Sequence, residues 1–142
     1  MSVEKTIELA IIAVLENNAE FADYTVRRWR DNSQAAKYPA ILVYCSPVDP
    51  SEVEPRCQTS YEMTVSIGVE TYLDDDKDRA KIDDIIGKVR IQLESSAFLA
   101  DCEAETPVYL WLDRTFTSGS ITSENSNLNK QQITINIYIQ KV

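Results

Sequence analysis

From Tyr61 to Leu73 the chain alternates. Tyr61, Met63, Val65, Ile67 and Val69 fall at one parity, and Glu62, Thr64, Ser66, Gly68 and Glu70 at the other. Successive side chains of an extended strand point to opposite faces, so this spacing predicts a long strand with one face in a core and one polar face. Such a strand needs neighbours to pair its backbone and a layer to cover its apolar side. The chain supplies candidates for both. Ile133, Ile135, Ile137 and Ile139 alternate with Gln132, Thr134, Asn136, Tyr138 and Gln140 and predict a second two-faced strand. Ala40 to Tyr44 is almost entirely apolar, which predicts a strand covered on both faces. Pro39 has no backbone donor and belongs at the start of that strand or on an edge. Val108 to Phe116 alternates as well, with Val108, Leu110 and Leu112 set against Tyr109, Trp111 and Asp113. Tyr24 to Arg30 reads as a further short strand.

Two segments carry helical spacing instead. Val3, Ile7, Ala10, Ile11, Val14 and Leu15 form one broad face, with Ser2 placed to cap the N-terminus and Asn17-Asn18 to end the helix. Ile82, Ile85, Ile86, Val89 and Leu93 form a second stripe after Asp74, Asp75, Asp76 and Asp78, and this helix is expected to end near Ala97 to Leu99. Acidic residues before a helix match its free amides and positive dipole end. Asp31 to Lys37 reads as a loop, and Cys45 to Cys57, stiffened by Pro47, Pro50 and Pro55, as an acidic excursion. Thr117 to Asn129 has no apolar pattern and reads as a mobile loop. Strands joined by loops rather than helical crossovers favour antiparallel pairing. The expected fold is α+β: a mixed, mainly antiparallel four- to five-stranded sheet with two helices packed on one face, forming a single domain over residues 1–142. The other face of the sheet is expected to be small, polar and mostly uncharged, fit to meet solvent, a neighbouring subunit or a lumen.

Composition narrows the chemistry. Histidine is absent, which removes the commonest general base and metal ligand. The three cysteines, Cys45, Cys57 and Cys102, have no metal-ligand spacing and read as free thiols of a reducing compartment. With only three glycines, the chain carries no phosphate loop, dinucleotide fingerprint or nucleophile elbow. An enzyme is not expected. The formal net charge of −9 opposes binding to nucleic-acid phosphates. The one dense basic patch is Arg27-Arg28-Trp29-Arg30, which suits an acidic neighbour or solvent, with nucleic acid the weaker alternative. Asp74, Asp75, Asp76 and Asp78 are the only candidate metal ligands. They lack the alternation, glycine and distal glutamate of a calcium loop, and a solvated helix cap explains them. No apolar run is long enough to cross a bilayer, and Glu4 beside Lys5 does not read as a signal peptide.

The ordered features resemble those of the tail terminator proteins of long-tailed bacteriophages, the group that includes the lambda terminator. An aliphatic N-terminal helix is followed by a strand entered through aromatic-Pro-Ala, here Tyr38-Pro39-Ala40-Ile41-Leu42-Val43-Tyr44. An acidic linker from Val48 to Glu54 comes next, then a long strand ending in Val69-Glu70-Thr71-Tyr72-Leu73. An acid-started helix, a strand with Asp113-Arg114 near its end, a variable loop and a final Ile/Tyr strand complete the order. The likeness covers most of the chain, in motifs that are individually common. Arg27 to Arg30 has no place in that pattern, and the long loop before the last strand has no assigned role in it.

The resemblance implies a structural virion protein, assembled in the cytoplasm of a host bacterium and placed at the head-proximal end of the tail. It implies a homo-oligomeric ring, six copies in the family, that caps the tail tube protein, stops its polymerisation and offers a docking surface to the head–tail connector. Genome DNA would pass through the bore without specific binding, and a negative lining would let it slide. The resemblance implies no cofactor beyond a divalent cation that promotes assembly in some members, for which Asp74 to Asp78 would be the place. Interface candidates are Arg27, Arg28, Trp29, Arg30, Asp49, Glu52, Glu54, Arg114, Asn125, Asn127 and Asn129. A head–tail joining or tail completion component shares the same pattern and stays open, as does a small soluble ligand-binding domain or enzyme of the same class.

Overall fold

The two alternating stripes lie side by side. In the computed structural model, which describes residues 2–29, 40–46, 60–72, 76–116, 121–125 and 128–141, strand β3 (Ser60–Tyr72) runs antiparallel to strand β6 (Leu128–Lys141). Met63 stands opposite Ile137, Val65 opposite Ile135 and Ile67 opposite Ile133. Equal parity on both strands puts these six side chains on one face, and all are buried. Strand β2 (Ala40–Cys45) pairs antiparallel with the other edge of β3 and adds Ile41, Val43 and Cys45 to that face. Strand β1 (Thr25–Arg28) joins β2 in the one parallel pair among the described residues.

Strands β4 (Tyr109–Phe116) and β5 (Ile121–Asn125) both pair antiparallel with β6, β4 along its C-terminal part and β5 along its N-terminal part. The spatial order is β1-β2-β3-β6-β4 with β5 beside β6. Among the described residues six strands therefore occupy five positions across a mixed, mainly antiparallel sheet, one strand more than expected. The extra one is β5, within Thr117 to Asn129, which reads as a loop in sequence. Its backbone completes a hairpin with residues Leu128 to Gln132. Backbone pairing needs no apolar alternation, so hydropathy carries no trace of it.

Three α-helices among the described residues cover the inner face. Helix α1 (Val3–Glu16) starts where the Ser2 side chain accepts the Lys5 amide at 3.2 Å, and it buries Ile7, Ile11, Val14 and Leu15. Helix α2 (Asp76–Glu94) buries Ile82, Ile85, Ile86, Val89 and Leu93. It stops at Glu94, before the expected end, and after a short turn helix α3 (Phe98–Glu105) begins. The sequence predicts a helix end near Ala97 to Leu99 and no further helix before Val108, so this third helix is an addition. Phe98 and Cys102 turn into the same core, and α3 packs against α1 and β4. One hydrophobic cluster unites all three helices with the inner face of the sheet. Each large side chain taken out of water there contributes about 1.5–3 kcal/mol.

A bulge in β4 decides which of its residues reach this core. Tyr109 and Trp111 face inward, but the register shifts between Trp111 and Asp113. Leu112 is the extra residue, so inward parity passes from Asp113 to Arg114, opposite Ile137, and Phe116, opposite Ile135. Arg114 then reaches the end of α2. Its Nη2 donates to the carbonyls of Glu94 at 2.8 Å and Ser95 at 3.1 Å, and its guanidinium lies 5.6 Å from the centre of the Phe98 ring. A cation there gives the last carbonyl of the helix a donor and matches its negative dipole end. The aliphatic parity of the same segment, Val108, Leu110 and Leu112, is left outside.

Candidate functional site

All three helices lie on the inner face, so the outer face of β3 and β6 is the broadest surface the described elements leave without a helix. Its side chains are short and polar, and they pair across the strands. Thr64 Oγ1 donates to Asn136 Oδ1 at 3.1 Å, Ser66 Oγ and Thr134 Oγ1 lie 3.4 Å apart, and Tyr138 OH donates to Glu62 Oε1 at 3.1 Å. Cross-strand pairs of this kind stabilise the pairing of the two strands. The expectation of a small, polar, mostly uncharged outer face matches this ladder.

Toward β1 the polar ladder gives way to an open concavity of about 360 Å³ lined by Trp29, Leu42, Tyr44, Ser66, Gly68 and Gln132. Trp29 follows β1, and its amide donates to the Val43 carbonyl at 3.1 Å. Its indole meets Tyr44 edge to face, with ring centres 5.2 Å apart, and remains half exposed. Leu42, on the outer side of β2, is nonetheless buried. This agrees with the apolar run from Ala40 to Tyr44, which predicts cover on both faces.

The structure separates the residues of the basic patch. Arg27 stands opposite Leu42 and belongs to the outer face, as does the Trp29 concavity. Arg28 stands opposite Val43 and turns inward, where its Nε donates to Glu8 Oε2 of α1 at 2.8 Å. Arg114 is held at the end of α2. Arg28 and Arg114, both interface candidates by sequence, are thus engaged within the fold. Asn125 ends β5 and Asn129 stands opposite Glu124 in the same hairpin. Arg30, Asp49, Glu52, Glu54, Asn127, Asp74 and Asp75 lie outside the described residues. Asp76 opens α2 and Asp78 lies in its first turn. Among the described residues no three acidic or thiol side chains converge as metal ligands. No described helix is long and apolar enough to cross a membrane.

Sequence reasoning did not single out Glu8, the one fully buried carboxylate among the described residues. A signal for it exists. Glu8 lies three, four and seven residues from Ile11, Ile12 and Leu15, on the apolar stripe of α1, where a charge needs a buried partner. Another unforeseen contact joins α3 to β4. Trp111 Nε1 donates to Thr106 Oγ1 at 2.7 Å, and the Thr106 hydroxyl donates to the Cys102 carbonyl at 2.9 Å.

Cys45 and Cys102 are buried and in no disulfide with one another; Cys57 lies outside the described residues. Burial, followed by the charges of Asp101 and Glu105, pushes the Cys102 thiol far above its ordinary value of 9.0, while Arg114 pulls weakly the other way. A thiol held neutral is a poor nucleophile and a poor metal ligand. In a Cys57→Ser variant, neither remaining thiol is expected to react with a water-soluble disulfide reagent until urea unfolds the protein. Rapid labelling of the native state would contradict this burial. The same group sets a sign for alkaline stability. The folded state keeps the Cys102 proton after the unfolded chain has released it, so the contribution is intact below about pH 9 and is lost as pH rises. One such proton is worth up to about 1.4 kcal/mol per pH unit. Urea midpoints of Cys102→Ala should therefore fall less steeply than wild type above that pH.

Comparison with models of known protein families and with characterised proteins gave no match.

Proposed function

We propose that this chain is a ring-forming structural protein of a bacteriophage tail, of the tail terminator kind. It would cap the tail tube, stop its polymerisation and present a docking surface to the head connector. The observation that carries this reading is the division of the sheet. The described helices cover one face, and the other bears a hydrogen-bonded ladder of Thr64, Ser66, Thr134, Asn136 and Tyr138 with Glu62. A ladder of mostly short polar side chains suits the wall of a bore or a subunit contact better than it suits catalysis, which requires convergent groups in a pocket. The net charge of −9 per subunit supports a lining over which DNA slides. The order of elements supports the resemblance to the terminators, with the aromatic-Pro-Ala sequence leading into β2.

Electron microscopy of tails assembled without this chain tests the reading. Tubes of irregular, excessive length that fail to join heads are the expected result. Tubes of normal length that fail to join heads would make the protein a joining component. Unaffected particles would remove it from the tail altogether.

A further inference from the structure

Strand β4 ends the sheet. Among the described residues it pairs with β6 on one side and with no strand on the other. The same segment carries exposed aliphatic side chains, with Val108, Leu110 and Leu112 at 54%, 42% and 54% exposure. An edge strand that shows apolar side chains to water is a ready template for pairing with another chain. Whether it can pair depends on its outward amides, because an added strand must bond to them. Those amides are already taken. Tyr109 N donates to the Thr106 carbonyl at 3.0 Å, and Trp111 N donates to Glu103 Oε1 at 3.1 Å. Both acceptors belong to α3 and its C-terminal cap, so both amides point away from β6. The bulge then shifts the alternation by one residue, and Arg114 follows in line. Its amide donates to Asp113 Oδ1 at 2.8 Å. The three bonds differ in kind. The Thr106 bond closes the turn after α3, and the Asp113 bond is local and open to water. The Glu103 bond is made by a part-buried carboxylate that reaches the middle of the edge from within a helix.

We propose that Glu103 guards this edge. Its carboxylate occupies the place on β4 where the carbonyl of an added strand would have to sit, and so keeps the β4 strands of two copies from joining their sheets into one. A carboxylate suits the task, because a charged acceptor holds a backbone amide more strongly than a neutral carbonyl does. The helix holds it in place. Phe98 and Cys102 anchor α3 in the core. The Thr106 hydroxyl donates to the Cys102 carbonyl at 2.9 Å and accepts from Trp111 Nε1 at 2.7 Å. Trp111 is thus tied to α3 through its side chain as well as through its amide, and an incoming strand would have to displace Glu103 from a fixed support. The guard allows Val108, Leu110 and Leu112 to stand in water without drawing a second sheet edge onto β4. It stands apart from the ring reading, since it concerns a contact that the fold refuses, whatever else the chain assembles into.

Two substitutions at one position test it. Glu103→Ala removes the acceptor and leaves a strong helix former, whereas Glu103→Gln keeps an oxygen in the same place. In hydrogen exchange followed by NMR, the Trp111 amide should be protected in wild type and in Glu103→Gln. In Glu103→Ala it should exchange at least about five-fold faster, while the amides of β3 at the centre of the sheet stay as they were. In sedimentation velocity Glu103→Ala should associate at least about ten-fold more tightly than wild type, with an infrared band of intermolecular strand pairing, and Glu103→Gln should match wild type. Adding Leu112→Lys to Glu103→Ala should return association to the wild-type level, because a two-fold pair of β4 strands brings the two lysines together. A Trp111 amide that exchanges freely in wild type overturns the proposal, and that measurement decides even where the alanine variant does not fold. A folded Glu103→Ala that associates no more than wild type overturns it too. So does a glutamine variant that behaves like the alanine one, or an association that Leu112→Lys leaves undiminished.

Discussion

Replacing Arg28 by alanine is expected to cost about 3–5 kcal/mol, a large share of the stability of a domain this size. The Glu8 side chain is 0% exposed, and its Oε2 accepts the Arg28 Nε at 2.8 Å. Among the described residues Glu8 Oε1 has no hydrogen-bond partner, so the arginine is the main compensation for a carboxylate placed against the core. Without it the charge stays buried and unpaired, which costs far more than the pair contributes when intact. The reverse change should be milder. The Arg28 side chain is 21% exposed, so in Glu8→Leu the guanidinium can turn toward water. The double variant Glu8→Leu/Arg28→Leu should come close to wild type or exceed it, as buried ion pairs replaced by apolar side chains often do. Urea unfolding of the two single variants and the double variant checks all three expectations. An Arg28→Ala cost below about 1 kcal/mol would show that water or another group already solvates Glu8.

Trp111→Ala should be comparably damaging, at about 3–5 kcal/mol, because it empties the space between β4, α3 and the sheet. The indole is 5% exposed and meets Phe98 edge to face at 6.5 Å between ring centres. Trp111→Phe separates volume from polarity. It keeps an aromatic ring in the core but removes the bond from Nε1 to Thr106 Oγ1, a loss of about 1 kcal/mol. The chain has only two tryptophans, and Trp29 is half exposed. In a Trp29→Phe background the emission therefore reports Trp111 alone. It should be blue-shifted in the native state and move to the red as urea releases α3 from β4. Native emission already at long wavelength would place the indole in water and refute the packing.

The residues differ in how much of their role could be read in advance. The inward faces of β3 and β6 were legible because period-two burial selects Val and Ile at one parity and excludes them at the other. The inward face of α1 was legible through its helical period, and its start through Ser2. Strand β5 was not, because a hairpin held by backbone groups puts no constraint on side-chain polarity. The boundary between α2 and α3 was hidden because Leu93 and Phe98 both face the core, so the apolar signal runs through the turn. The alternation in β4 was visible, but its meaning changes midway. Parity counting cannot register the extra residue at Leu112 that brings Arg114, rather than Asp113, inward.

The basic patch shows the same division at the candidate site. Adjacent arginines on a strand must point to opposite faces, which the sequence alone determines once β1 is assigned. Which face is the core depends on register with β2, and only the fold supplies that. Composition and periodicity determined that this chain builds a sheet with one apolar and one polar face, covered by amphipathic helices, because burial is a local property repeated along each element. Tertiary structure alone decided that Arg28 meets Glu8, that Arg114 caps α2 and that Trp29 borders a concavity. Those contacts join residues far apart in the chain, and their geometry comes from strand order, register and a single bulge.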